Sequence, residues 1–339
     1  MYRIVFFIVV ISTIFSCNNQ KKIPDVSNIK IDVKVQRFEK DFFNLDTLHL
    51  QKSLTDLNTK YPLFLHNYIG QVLGFTDQTP GDTLSKYVSY FIRDYKFVKD
   101  SADLLYGSFD EEEKEIKKGL QFVKYYFPQY KLPTKITTFI GPFDGYSDIL
   151  SADVLAIGLQ LHMGSNFSFY RSDIAHDLFP AYITQRFTKE YIPVNAMKNI
   201  VDDLYPDKSN GKALIEQMVE KGKRVYLLDK FLPNTPDHLK LGYTEKQTKD
   251  CLTNEAVLWD FFLKNELLNL TDQNITKNYV GEGPKTQELG DDSPGNIGTF
   301  TGWQIVRKFM EKNPSTKPNE LMIIDARELY NRSKYKPRA

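Results

Sequence analysis

The chain has few side chains of the kinds that do chemistry, and their spacing limits what each can do. Five histidines, His49, His66, His162, His176 and His238, are scattered. None belongs to an H-E-x-x-H helix, in which two imidazoles one turn apart hold zinc. His162 and His176 lie close in sequence, in loop-forming segments, and read as surface histidines, with metal binding as the alternative. Cys251 would act as a nucleophile only beside a basic partner, and it reads as a buried, inert thiol. Asp202 and Asp203 are adjacent on a helical stretch, so their carboxylates point apart and read as a solvated face. Asp291-Asp292 brings two carboxylates to a loop, few for a calcium ion that takes six to eight oxygens. Gly281-Glu282-Gly283-Pro284 lacks the preceding strand and following helix of a phosphate loop, and no G-x-S-x-G elbow occurs. No catalytic set, metal or cofactor is expected.

The other cysteine, Cys17, points to a different chemistry. Arg3, the apolar run Ile4 to Ile11 and then Ile14-Phe15-Ser16-Cys17 have the order of a signal peptide ending in a lipid-attachment cysteine. A spanning helix needs about 20 apolar residues, and Ser12, Thr13 and Asn18 to Lys22 stop the run sooner. Residues 1–16 therefore read as a signal peptide, Cys17 as the site of palmitate-type acylation, and residues 17–30 as a tether. An ordinary secretory signal with an incidental Cys17 is the alternative. Two or more acyl chains anchor stably, which places the domain in the cell envelope, with the leaflet open.

The charge balance agrees with an acyl anchor. There are 44 basic and 43 acidic residues, and losing Arg3 with the signal peptide leaves 43 of each. A near-neutral chain argues against the basic face that nucleic acid demands and against electrostatic docking on anionic lipid. With Cys251 the single remaining thiol, the fold must hold by packing.

The elements that would position these residues follow from periodicity. Ile31, Val33 and Val35 alternate with polar residues and predict a strand. Helical spacing covers Leu48 to Leu73, broken at Pro62, then Leu84 to Tyr95. Acidic residues at Asp110 to Glu113 open a helix running to Tyr126. Lys135 to Ile140 and Val154 to Leu161 read as two strands joined by a turn and forming the sheet centre. Helices are expected around Val194 to Leu204, Ala213 to Asp229, Glu255 to Leu268, Trp303 to Lys312 and Glu320 to Asn331. The Gly- and Pro-rich stretch Thr271 to Thr301 reads as a long loop, either functional or disordered. The result is an α+β fold, mostly helical with a small mixed sheet: a mainly helical region over 31–130, packed as one unit with an α+β region over 131–339.

Several segments, taken in order, resemble the gliding-motility lipoprotein B family, GldB. They are Pro24-Asp25-Val26-Ser27, Tyr125-Tyr126-Phe127-Pro128, Ile157-Gly158-Leu159 through Gly164, and Pro180-Ala181-Tyr182. Further on come Gly222-Lys223 with Tyr226, Asn254-Glu255 with Trp259, Ser293-Pro294-Gly295, Gly302-Trp303-Gln304-Ile305-Val306, and Ser333-Lys334-Tyr335-Lys336-Pro337. The resemblance implies an envelope lipoprotein required for gliding, associated with machinery shared with type IX secretion, whose envelope proteins would be its partners.

The later half is also similar to zinc-peptidase-like, zincin-type domains. Carried over by position, their metal helix would be Lys198 to Tyr205, without histidine, and a second would bear Glu220. The resemblance thus implies a pseudoenzyme with a vestigial cleft at Asn199, Asp202, Asp203 and Glu220. That cleft would lie between Val154–Leu161 and Val194–Leu204 and hold a peptide by strand-edge pairing. The expected function is a non-catalytic scaffold. The alternatives are a hydrolase using Glu220 with His162 or His176, and a periplasmic peptide-binding module.

Overall fold

The computed structural model describes residues 23–151 and 153–337; the signal peptide and Cys17 lie outside the described residues. Among these, four strands form one mixed sheet: β1 (Lys34–Arg37), β2 (Lys135–Phe139), β3 (Asp148–Leu150) and β4 (Val154–Gly158), in the order β1-β2-β4-β3. β2 runs parallel to both β1 and β4, with Ile136 beside Val35 on one side and Leu155 on the other. β3 pairs antiparallel with β4, Ile149 opposite Ala156. The class is α+β, with 60% of the described residues helical, so most of the core is made by helices rather than by the sheet.

Both faces of the sheet are covered, which explains why β4 reads as an unbroken apolar run instead of an alternating one. Leu155 and Ile157 of β4 and Ile136 of β2 face a core shared with α1 (Asp110–Tyr126) and α2 (Tyr191–Leu204). Val154, Ala156 and Phe139 face the other way, into an aromatic cluster of Phe38, Phe42, Tyr61, Tyr68 and Phe91 supplied by the helices before residue 95. The period-two alternation of the strands thus divides the apolar residues between two cores.

A third core belongs to the C-terminal half. Its axis is the pair α3 (Leu214–Phe231) and α6 (Ile297–Lys312). Around it lie α4 (Glu245–Thr253), α5 (Glu255–Lys264), α7 (Pro318–Ile323) and α8 (Ala326–Ser333). α3 is buried nearly all round. Leu214, Met218 and Tyr226 join this core, while Leu227, Leu228 and Phe231 join the core beneath the sheet. Glycines let α3 and α6 cross in backbone contact. A Cβ on Gly302 would lie 1.7 Å from the Met218 carbonyl oxygen, and one on Gly222 would lie 2.2 Å from the Gly302 carbonyl carbon.

Four sequence expectations need correction. The two central strands are not joined by a simple turn, because β3 lies in the connection and leaves them parallel. The strand from Val154 ends at Gly158, where the Gly158 N–H donates to Ser147 O (2.6 Å) and the chain winds into a 3-10 turn over Leu159–Leu161. The stretch from Glu320 to Asn331 is two helices, broken where Asp325 accepts from the Glu328 N–H at 3.0 Å to cap the second. The stretch from Thr271 to Thr301 contains the helix Gln273–Val280 and the start of α6. Its remaining loop is fixed: Thr286 Oγ1 donates to Pro294 O (2.9 Å), and a Cβ on Gly295 would meet Gly283 O at 2.1 Å. Glycine is needed there because two backbone segments touch.

Candidate binding groove

The expected cleft between β4 and α2 is filled. Leu155, Ile157, Val194, Met197, Ile200 and Val201 are buried together in one core. β4 also has no free edge, since β2 and β3 pair with its two sides, so a peptide cannot add to it as a strand.

The four residues assigned to that cleft are not brought together. Asn199 Nδ2 donates to Asn195 O one turn earlier (3.1 Å). Asp202 accepts from Arg224 at 2.5 Å, and Asp203 accepts from the Tyr130 hydroxyl at 2.6 Å, so the adjacent carboxylates do point apart. Glu220 pairs with Lys223 at 2.9 Å; the buried Lys223 ammonium also donates to Ile324 O (2.5 Å), tying α3 to the α7–α8 turn. Asp203 borders a recess of about 160 Å³ with Tyr130, Lys131 and Leu150. The other carboxylate pair is split as well, Asp291 being bonded to Lys285.

His162 is not a surface histidine. It is 1% exposed and sits beyond the carboxyl end of β4. Its Nε2 lies 3.1 Å from Asp148 Oδ2, and its Nδ1 lies 3.2 Å from Thr188 O. Both partners are acceptors, so the imidazolium satisfies both. Burial disfavours that charge, but Asp148's charge and hydrogen bond, together with the Thr188 carbonyl, outweigh burial and raise the His162 pKa. The pair is part of a buried polar layer at the carboxyl ends of the parallel strands, in which Arg37 Nη2 has no hydrogen-bond partner among the described residues. Glu39 accepts from Arg37 Nε (2.7 Å) and Thr138 Oγ1 (2.5 Å), and Tyr106 donates to His162 O (2.5 Å). Cys251 is buried, and burial pushes its thiol up to about 12. Among the described residues no three of His, Cys, Asp and Glu gather as a metal-binding group.

The large open feature lies elsewhere, in the C-terminal half. A groove of about 1880 Å³ has α3 and α6 as its floor, contributing Tyr226, Lys230, Gln304, Arg307 and Lys308. One wall is the end of α1 with Tyr125, Tyr126 and Pro128; the others come from the α4–α5 junction and the loop 314–317 that leads into α7. The terminal segment Lys334 to Pro337 completes it, held by the Tyr335 hydroxyl donating to Glu255 at 2.7 Å. Six basic residues line the groove, Lys230, Arg307, Lys308, Lys317, Lys334 and Lys336, against the two acidic residues Glu255 and Glu311. The near-neutral chain thus concentrates positive charge in one concavity, where field lines focus.

The floor is rigid. Arg307 stacks 3.3 Å from the Trp303 ring centroid, and its guanidinium reaches Asp229 (3.1 Å) and Asp237 (3.2 Å). Asp229 also accepts from Trp303 Nε1 (2.9 Å) and from the buried Lys240 (2.6 Å). Two carboxylates and two cations thereby neutralise one another, and Arg307 is locked in orientation by the same contacts. Burial works to raise the Asp237 pKa, but hydrogen bonds and charge from Lys240 and Arg307 bring it below the usual carboxylate range.

The groove was not found from sequence, because its residues come from six separate elements. The readable signals were Trp303 and Arg307, four apart on one helix face, and the alternation of Lys334, Tyr335 and Lys336. Five of the segments quoted above for their resemblance contribute to it, through Tyr125–Tyr126–Pro128, Tyr226, Glu255, Gln304 and Lys334–Pro337.

Comparison with known proteins gives one match. The model of the family described as gliding motility protein GldB covers residues 19–337 of the chain. No curated protein and no solved structure matches, and the likeness to zinc peptidases gains no support.

Proposed function

The chain belongs to the gliding motility protein GldB family, and from that premise we propose that it is a non-catalytic interaction component of the gliding and type IX secretion machinery. It would be held in the cell envelope by acyl chains on Cys17, with the domain in the periplasm. Family membership supports the motility and lipoprotein parts of this reading, and among the described residues no helix is long and apolar enough to cross a membrane.

The observation that carries the interaction role is the groove itself. At about 1880 Å³ it exceeds the roughly 300–1,000 Å³ typical of small-molecule sites, a size suited to a polymer. Among the described residues no histidine or cysteine lines it, while its tyrosines and arginine are the residue types that dominate binding energy at protein interfaces. The buried His162 is committed to Asp148 and lies against the sheet, so a base formed from His162 and Glu220 has no geometric support.

The test is in-cell crosslinking from a photoreactive residue at Thr316, followed by purification of the lipidated protein from detergent-solubilised envelopes. Recovery of motility or secretion components supports the reading. Peptide hydrolysis by the purified protein that is lost on chelation would favour a peptidase instead. Cys17→Ala is expected to leave the protein unprocessed or soluble, which envelope fractionation checks.

A further inference from the structure

We propose that the groove takes an extended, acidic peptide segment of a partner protein; this deepens the interaction reading and rests on it. Three features of the groove select that chemistry. The first is charge. Lys308 is paired with Glu311 at 3.0 Å and Arg307 with Asp229 and Asp237. Lys317, Lys334 and Lys336, in contrast, make no salt bridge to a carboxylate among the described residues, and they stand on two separate segments that line the groove. An occupant with carboxylates along its length would meet ammonium groups on both.

The second feature is an unpartnered donor. Gln304 lines the floor, is 8% exposed, and its Nε2 has no hydrogen-bond partner. Leaving a buried donor unpaired costs about 1–3 kcal/mol, and rotation of the Gln304 side chain to bring its amide N–H into the groove would let a carbonyl or carboxylate oxygen of an occupant satisfy it. The third is backbone. Lys334 is held at φ 48°, ψ 43°, in the left-handed region that side chains rarely adopt. It turns the terminal segment across the groove, where Tyr335 fixes it to Glu255.

Shape excludes an anionic membrane surface. A flat bilayer of anionic headgroups cannot enter a concavity walled by Tyr125, Tyr126, Pro314 and Pro318. An extended peptide can, and the Tyr125 ring, 48% exposed, offers it an aromatic surface at the rim.

The experiment uses the full lipidated chain in detergent and a fluorescent peptide of alternating glutamate and threonine, beside its glutamine counterpart. The glutamate peptide is expected to bind on the order of tenfold more tightly at low salt, and K317E/K334E/K336E to lose that margin. The distal reversal K52E/K86E/K96E, with the same change in net charge, should leave binding unchanged. Gln304→Leu should weaken binding while raising Tm, a divergence that a merely structural glutamine would not give. Failure of the glutamate peptide to bind, equal binding of both peptides, or equal loss in the distal variant overturns the proposal. So does rim-dependent binding to phosphatidylglycerol vesicles without peptide binding. If in-cell crosslinks from Thr316 survive the rim reversal, the acidic-peptide assignment fails and the interaction reading stands; crosslinks to no partner would sink the interaction reading itself.

Discussion

Two regions of this molecule hold most of its notable polar groups, and they treat them in opposite ways. At the carboxyl ends of the parallel strands, the side chains of Glu39, Thr138, Asp148, Gln160 and His162 are all at most 2% exposed and are bonded to one another or to backbone, with Arg37 Nη2 beside them left without a partner among the described residues. In the groove, Lys317, Lys334 and Lys336 stand in solvent or at the rim and Gln304 keeps a donor unspent. Ligands often bind at the ends of parallel strands in open sheets, yet here that position is packed shut. A polar cluster can bind only where it is open to solvent and its charges still lack partners; where its charged members are buried and paired with one another, it is part of the architecture.

Substitutions sharpen or break this contrast. The largest effect is expected at Gly302, because a side chain there must push apart α3 and α6, on which the groove stands. Gly302→Val should cost about 5 kcal/mol or prevent folding of the C-terminal half, measured by chemical denaturation; a well-folded variant would show that the crossing can open. Next is Asp148→Asn, which leaves the His162 imidazolium buried without its counter-charge and should cost about 3 kcal/mol near pH 6.

The same pair gives a pH dependence with a definite sign. The His162 pKa is raised in the folded state, so folding takes up a proton between the unfolded value of 6.5 and the folded one. The stabilisation is fully present below pH 6.5 and lost as pH rises through the folded pKa. Comparing unfolding midpoints of the wild type and His162→Gln across that range should show this slope disappear; an unchanged slope would mean that His162 is not the group taking up the proton. Cys251, with its thiol pushed up to about 12 by burial, should resist alkylation at neutral pH until the chain unfolds. Rapid labelling of the native protein would contradict the closed C-terminal core.

The smallest effects belong to the groove. Gln304→Leu should stabilise by about 1 kcal/mol by removing a buried unpaired donor. The three-lysine rim reversal should change stability by less than about 0.5 kcal/mol. Denaturation curves moved strongly by either would place these residues in the structural class with Asp148 and undo the comparison.

Much of this was legible in the sequence. Periodicity located the helices running to Tyr126, Leu204 and Lys312, Pro62 broke the helix where expected, and the apolar run at Val154 marked the sheet centre. These are local facts, since a helix or strand must bury one face and its residues repeat accordingly. Burial of Cys251 was legible for the same reason. The burial of His162 was not, because the loop residues around it carry no period and its partner Asp148 lies on a strand of three residues, too short to announce itself. What only the tertiary structure decided was which charges find partners. Asp202, Asp203 and Glu220 form a site only by the resemblance to zinc peptidases, and in the fold each is taken up by Arg224, Tyr130 or Lys223. Tyr125, Gln304 and Lys334 look unrelated and become one groove. Spacing along the chain governs local hydrogen bonds and faces, whereas pairing and concavity depend on distances between elements that only packing sets.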